Sequence, residues 1–147
     1  MQKLLLRSTV AIALLAAPAT VFAQDAVDHT AAVTALGGDA KKGKRVFNKC
    51  KACHVADDEK NKVGPHLVGI FGRAAGGVES FDKKYSKAMK NSGIVWTVEE
   101  LLPYLKNPKK HVKGTKMAFG GLRKEKDINN LLAYLLETSG ETPAEGS

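Results

Sequence analysis

The chain is poor in cysteine: Cys50 and Cys53 are the only two among 147 residues. Nothing is left over for a disulfide framework. A structural zinc site needs four ligands, and the histidines away from the cysteines, His29, His66 and His111, are scattered and offer no second ligand pair. Strand-like alternation of apolar and polar residues is missing, as are internal repeats and low-complexity tracts. A thioredoxin-like redox pair sits in a chain of alternating strands and helices, so that reading loses its setting. No run reaches the ~20 apolar residues a comfortable membrane-spanning helix needs.

What is present begins with a leader. Lys3 and Arg7 give a basic start, Val10 to Ala17 an apolar core, and Val21-Phe22-Ala23 a small-residue cleavage site. Residues 1–23 therefore read as a signal peptide cleaved after Ala23, with an uncleaved anchor as the alternative. The mature chain would begin at Gln24 and hold 124 residues, the 147 less the leader's 23, which is one small domain. The formal charge of +8 includes Lys3 and Arg7, and the leader has no acid, so the mature charge is +6. A basic surface suits nucleic acid, anionic lipid or an acidic protein. An exported chain meets no nucleic acid in its normal compartment, so an acidic protein partner comes first and transient contact with a membrane surface second.

The periodicity predicts an all-α domain over residues 39–140, preceded by a loosely ordered stretch at 24–38 and followed by a tail at 141–147. Asp39 is placed to cap a helix carrying Gly43, Val46, Phe47 and Cys50 at helical spacing. Residues 55–77, rich in glycine, read as a loop wrapped around something. Phe81 to Asn91 can form a short helix with Tyr85 and Ala88 on one side. Thr97-Val98-Glu99-Glu100 reads as a reciprocal capping box, followed by an apolar face of Val98, Leu101, Leu102 and Leu105. Pro103 should kink this helix or cost it a hydrogen bond, and Asn107-Pro108 should end it. Residues 109–122 read as another loop. The last helix begins near Lys124 to Asp127, carries Ile128, Leu131, Leu132, Leu135 and Leu136, and stops at Gly140 and Pro143. Phe47 and Tyr134 are expected to pack where the first and last helices cross.

The residues that carry chemistry are Cys50-Lys51-Ala52-Cys53-His54. This spacing attaches haem covalently. Each thiol can form a thioether to one vinyl group of the porphyrin, and the adjacent His54 then lies under the ring, able to give iron an imidazole nitrogen. A strained two-residue disulfide is the plain alternative. The other axial position decides function: an open one binds small molecules, a closed one favours electron transfer. The mature chain has two methionines, Met89 and Met117. Met117 lies in a Gly114-Thr115-Lys116-Met117 loop that can swing a thioether to the far face, and methionine opposite histidine raises the haem potential. Met89 falls on an expected helix and suits the core.

Residues 39–138 resemble a class I cytochrome c. The resemblance rests on the cysteine–histidine motif, Gly64-Pro65-His66-Leu67-Val68-Gly69, Phe71-Gly72-Arg73 and Trp96. It continues through Tyr104-Leu105-Lys106-Asn107-Pro108-Lys109-Lys110, Gly114-Thr115-Lys116-Met117 and Leu132-Ala133-Tyr134-Leu135, all in family order. The loop between His54 and Gly64 is about one residue shorter than in the mitochondrial protein. Met89 replaces a polar residue, and Pro103 before Tyr104 is unusual.

The resemblance implies a fold of four to five helices wrapped around one haem c held by Cys50 and Cys53, with His54 and Met117 on iron. It implies that the Pro65 carbonyl accepts the His54 ring N–H and that the Tyr104 hydroxyl bonds the Met117 sulfur. Arg73, Tyr85 and Trp96 would hold a haem propionate, with Thr115 nearby. Lys49, Lys51, Lys62, Lys109, Lys110 and Lys116 would surround the exposed haem edge as a docking face. The implied protein is a monomeric periplasmic one-electron carrier, not an enzyme. Its partners would be acidic redox proteins: a bc-type complex as donor, and an oxidase, peroxidase or photosynthetic reaction centre as acceptor. An open-site haem protein with peroxidase-like or gas-binding activity, or a fixed subunit of a dehydrogenase, are the competing readings.

Overall fold

Asp39 starts one of the two helices whose crossing organises the core. Its carboxylate accepts from the Lys42 amide at 3.0 Å, satisfying a first-turn donor. The computed structural model describes residues 28–139. The leader, its cleavage site, residues 24–27, the expected helix stop at Gly140 and the 141–147 tail with Pro143 lie outside the described residues. Within them the α-helices are α1 (His29–Ala35), α2 (Ala40–Phe47), α3 (Lys87–Lys90), α4 (Val98–Lys106), α5 (Pro108–His111) and α6 (Glu125–Thr138), with a 3-10 helix at Glu79–Lys84. The only β feature among the described residues is an isolated bridge between Ala74 and Val95. The fold is all-α. Four helices have seven residues or more, and α3 and α5 are single turns.

The crossing of α2 and α6 organises the core. Gly43 faces the backbone of Asn130 so closely that a Cβ would overlap the Asn130 carbonyl oxygen. Glycine is therefore required for this approach. Phe47 and Tyr134 meet at the crossing, with ring centroids 5.3 Å apart and a 48° tilt. Asn130, buried in α6, accepts the Asp39 amide at 2.8 Å and ties the start of α2 to its partner. Leu131, Leu132 and Leu136 fill the interior from α6, while Val98, Leu101 and Trp96 meet them from the other side.

Several expectations are corrected. Residues 29–35 are helical rather than loosely ordered. Asp28 caps α1 by accepting the Ala31 amide at 3.0 Å. Val33 is buried in the core, with Ala32 and Leu36 packed against it. The chain then leaves the helix through Gly37 at φ 63°, the left-handed stop that glycine takes without strain. The span Phe81 to Asn91 is two elements, because Ser86 breaks it: its hydroxyl accepts the Met89 amide at 3.1 Å and starts α3 afresh. Residues 109–122 are not all loop. Asn107, which ends α4, also caps α5 through the Lys110 amide at 3.1 Å, with Pro108 at the first helical position.

The capping box of α4 is half formed. Thr97 Oγ1 accepts the Glu100 amide at 3.4 Å, but the Thr97 amide donates to the Val95 carbonyl at 2.7 Å. The Glu100 carboxylate turns instead to His111, 2.7 Å away. Pro103 leaves α4 continuous. Lacking an N–H, it deprives the Glu99 carbonyl of its usual donor four residues on.

Candidate functional site

The chain leaves α2 through consecutive turns that present the motif. The Cys50 amide donates to the Phe47 carbonyl at 2.8 Å, and the amides of Cys53 and His54 both return to the Cys50 carbonyl at 2.9 Å. The segment 64–67 is laced to this turn: the Gly64 amide donates to the Cys53 carbonyl at 2.8 Å and the Leu67 amide to the Val55 carbonyl at 2.7 Å. Both cysteines are free thiols, Cys50 partly buried and Cys53 exposed. Burial pushes the Cys50 thiol up to about 11, with the Lys49 charge pulling the other way.

His54 is held by the same lacing. Its Nδ1 lies 2.7 Å from the Pro65 carbonyl oxygen. A carbonyl can only accept, so Nδ1 carries the proton and Nε2 keeps its lone pair. Burial lowers the pKa of this imidazole, with the Pro65 hydrogen bond opposing. The neutral, oriented ring is the form that binds metal. Gly64 makes room for it: a Cβ there would stand 2.8 Å from Nδ1 and 2.9 Å from Nε2. The sequence reading placed Gly64 in a motif without giving it this task. The Gly-Pro pair was the signal that the backbone passes close to something.

Met117 lies in the loop after α5, and Tyr104 comes from the last turns of α4. The Tyr104 hydroxyl donates to the Met117 sulfur at 3.6 Å. Burial raises the pKa of this phenol, the Thr115 hydroxyl opposing, so Tyr104 remains a donor at neutral pH. Thr115 Oγ1 accepts the Met117 amide at 3.2 Å, which fixes the loop just before the thioether. Thr115 therefore serves the methionine loop, whatever it offers a propionate. Met89 is buried in the core.

Two of the three residues expected around a propionate, Arg73 and Trp96, are tied together through the backbone. Gly72 donates to the Trp96 carbonyl at 3.0 Å and Trp96 donates to the Arg73 carbonyl at 2.9 Å. Trp96 is buried and packs on Tyr104 with centroids 4.6 Å apart and the rings tilted by 47°. Arg73 is half-buried, and its Nη1 and Nη2 donate to the carbonyls of Val68 at 2.7 Å and His66 at 3.0 Å. Burial raises the Tyr85 phenol, while the Val78 amide and the Arg73 charge hold it down. The Arg73 fork is thus aimed by two loop carbonyls.

All six lysines of the expected docking face are exposed. Two also do structural duty that sequence reasoning missed. Lys62 Nζ donates to the Lys51 carbonyl at 2.8 Å, and Lys116 Nζ donates to the carbonyls of Lys84 and Tyr85 at 3.0 and 3.2 Å. Lys49, Lys51, Lys109 and Lys110 enter none of the ion pairs formed among the described residues.

The donor set fits a covalently held haem. Two free thiols stand at the right spacing, one imidazole Nε2 is left unprotonated, and one thioether is held by a hydrogen bond.

Comparison with known proteins agrees. The family model "Cytochrome c" matches residues 40–139. The chain is 50% identical over 104 residues to "Cytochrome c" of Stellaria longipes, covering 69% of this chain and 94% of the relative. It is 52% identical over 99 residues to "Cytochrome c-550" of Nitrobacter winogradskyi, covering 67% of this chain and 89% of the relative. The solved structure of cytochrome cH from Methylobacterium extorquens is similar with a TM-score of 0.63 and 44% identity, over 68% of this chain and 99% of the other.

Proposed function

Because this chain belongs to the cytochrome c family of electron carriers and holds haem c through Cys50 and Cys53, we propose that it is a periplasmic shuttle whose iron is closed by His54 and Met117. The observation that carries this reading is the 3.6 Å contact from the Tyr104 hydroxyl to the Met117 sulfur. A thioether held by a donor on a folded helix is positioned as a ligand rather than as loose filler.

The haem, when bound, supplies one-electron chemistry between ferrous and ferric iron. The chain's own residues set its terms. Pro65 fixes the His54 tautomer, which leaves Nε2 to coordinate. Tyr104 and Thr115 hold the Met117 loop. A partly buried propionate needs donors or a cation, and Arg73, Trp96 and Tyr85 supply both. Holding His54 and Met117 in place in both oxidation states would keep reorganisation small.

Partner choice follows from charge. Lys49, Lys51, Lys62, Lys109, Lys110 and Lys116 are exposed, and as a docking face around the haem edge they would suit acidic redox proteins. Such a contact should be small and short-lived, as turnover demands. The donor is a bc-type complex, and the acceptor an oxidase, a peroxidase or a photosynthetic reaction centre. The leader at residues 1–23 accounts for export, with cleavage after Ala23. The carrier works as a monomer.

Met117→Ala tests the reading. The holoprotein should lose the weak long-wavelength ferric band of sulfur on iron and drop in potential, since the methionine ligand raises it. A variant with an unchanged spectrum and potential would remove Met117 from iron and favour an open site.

A further inference from the structure

The Glu100 carboxylate is free to leave its own helix start because the Thr97 amide is already bound to Val95. It reaches eleven residues along the chain to His111 Nε2, at 2.7 Å. An ionised carboxylate only accepts, so Nε2 donates. The contact is partly sheltered, with the His111 and Glu100 side chains 22% and 42% exposed.

This contact joins the two helices that lead into the sixth-ligand loop. Glu100 sits in the first turn of α4, the helix that carries Tyr104. His111 is the last residue of α5. Its ring stands edge-on to Tyr104, with centroids 6.0 Å apart. Beyond His111 the path to the ligand is short. Val112 is buried, the Thr115 amide donates to the Val112 carbonyl at 3.0 Å, and Thr115 Oγ1 accepts the Met117 amide. α5 is a single turn that cannot hold itself in place. Besides its Asn107 cap, it is anchored by the buried Pro108 and Val112 and by the Glu100–His111 contact.

We infer that Glu100 and His111 are positioning residues for the sixth ligand: their contact pins α5 to α4 and so holds both the Tyr104 ring and the Met117 loop against the iron. The inference rests on Met117 being that ligand. Neither residue touches the sulfur, so they act through Tyr104 and through the backbone from Val112 to Met117.

The experiment is imidazole binding to the ferric holoprotein, which competes with the native sixth ligand and so reports how readily the loop opens without denaturant. Amide hydrogen exchange at Thr115 and Met117 gives a second, haem-independent readout. His111→Phe keeps a ring beside Tyr104 and removes the donor. Glu100→Ala removes the acceptor. Each should raise imidazole affinity and local exchange by about fivefold, the scale of a part-exposed charged contact. Glu100→Gln keeps an acceptor and should stay within about twofold of the parent. The double variant H111F/E100A should be no worse than either single change, because both remove one shared contact.

Unchanged affinity and exchange in both single variants would overturn the inference. So would strictly additive effects, or a uniform drop in the denaturation midpoint with no change in imidazole affinity. If the parent protein lacks the long-wavelength ferric band, the sixth-ligand reading itself fails, and that result is visible before any variant is made.

Discussion

His54 Nδ1 sits 2.7 Å from the carbonyl oxygen of Pro65, and the glycine before that proline passes directly against the imidazole ring. One dipeptide therefore sets both the protonation and the seat of the ring. Proline locks its own φ and so narrows the paths open to the segment that carries this carbonyl. Glycine supplies the clearance.

Gly64→Ala is the direct test of that clearance. The added methyl overlaps the imidazole, so the ring or the 64–67 segment must shift. We expect the holoprotein to lose about 1–3 kcal/mol of stability, the usual cost of overpacking a tight site. Denaturant unfolding measures it. An unchanged midpoint would mean that His54 has another seat.

Tyr104→Phe should lower the reduction potential. A donor on the Met117 sulfur withdraws electron density and favours ferrous iron, and removing it favours ferric. A hydrogen bond of ~0.5–1.5 kcal/mol corresponds to about 20–60 mV for one electron. Voltammetry of the two holoproteins decides the sign. A rise in potential would contradict the role given to the hydroxyl.

The docking face is tested by reversing charge where no protein carboxylate interferes. Lys109→Glu with Lys110→Glu should slow association with an acidic redox partner about tenfold at low ionic strength. It should also flatten the salt dependence of the rate. Stopped-flow electron transfer against ionic strength gives both. Equal rates and slopes would move the docking face elsewhere.

His66 predicts a loss of stability in acid. Burial lowers its pKa from the ordinary 6.5, and the neighbouring Arg73 charge lowers it further. The unfolded chain therefore binds this proton at a higher pH than the folded one. Stability from this residue is fully present above pH 6.5 and falls as pH drops from there toward the folded pKa. His66→Asn should remove that part of the slope between pH 7 and pH 5. Midpoints compared across that range test it. An identical slope in the variant would assign the acid lability to other groups.

The sequence exposed what is local. Asp39, Thr97 and the apolar stripes of α2, α4 and α6 act within one helix, and Cys50, Cys53 and His54 act within five residues. What it hid depends on contacts far along the chain. The α1 helix carries its own signals, Asp28 before Val33 and Gly37 after, but seven mixed residues form a stable helix only when the core covers Val33, and Asn129 reaches across to the Leu36 carbonyl at 3.2 Å. Glu100 was misread because capping-box spacing pointed to Thr97, while the better partner, His111, comes into reach only after α5 folds back. Lys116 looked like free charge for the same reason. The carbonyls it meets belong to a segment more than thirty residues earlier.

The central claim is that iron is closed on both faces, by His54 and by Met117. The absorption spectrum of the haem-loaded protein, oxidised and then reduced under carbon monoxide, tests it most directly. The account predicts the weak long-wavelength ferric band of sulfur ligation and a ferrous spectrum that carbon monoxide leaves unchanged. Absence of that band, with ready carbon monoxide binding, would contradict it and make this an open-site haem protein.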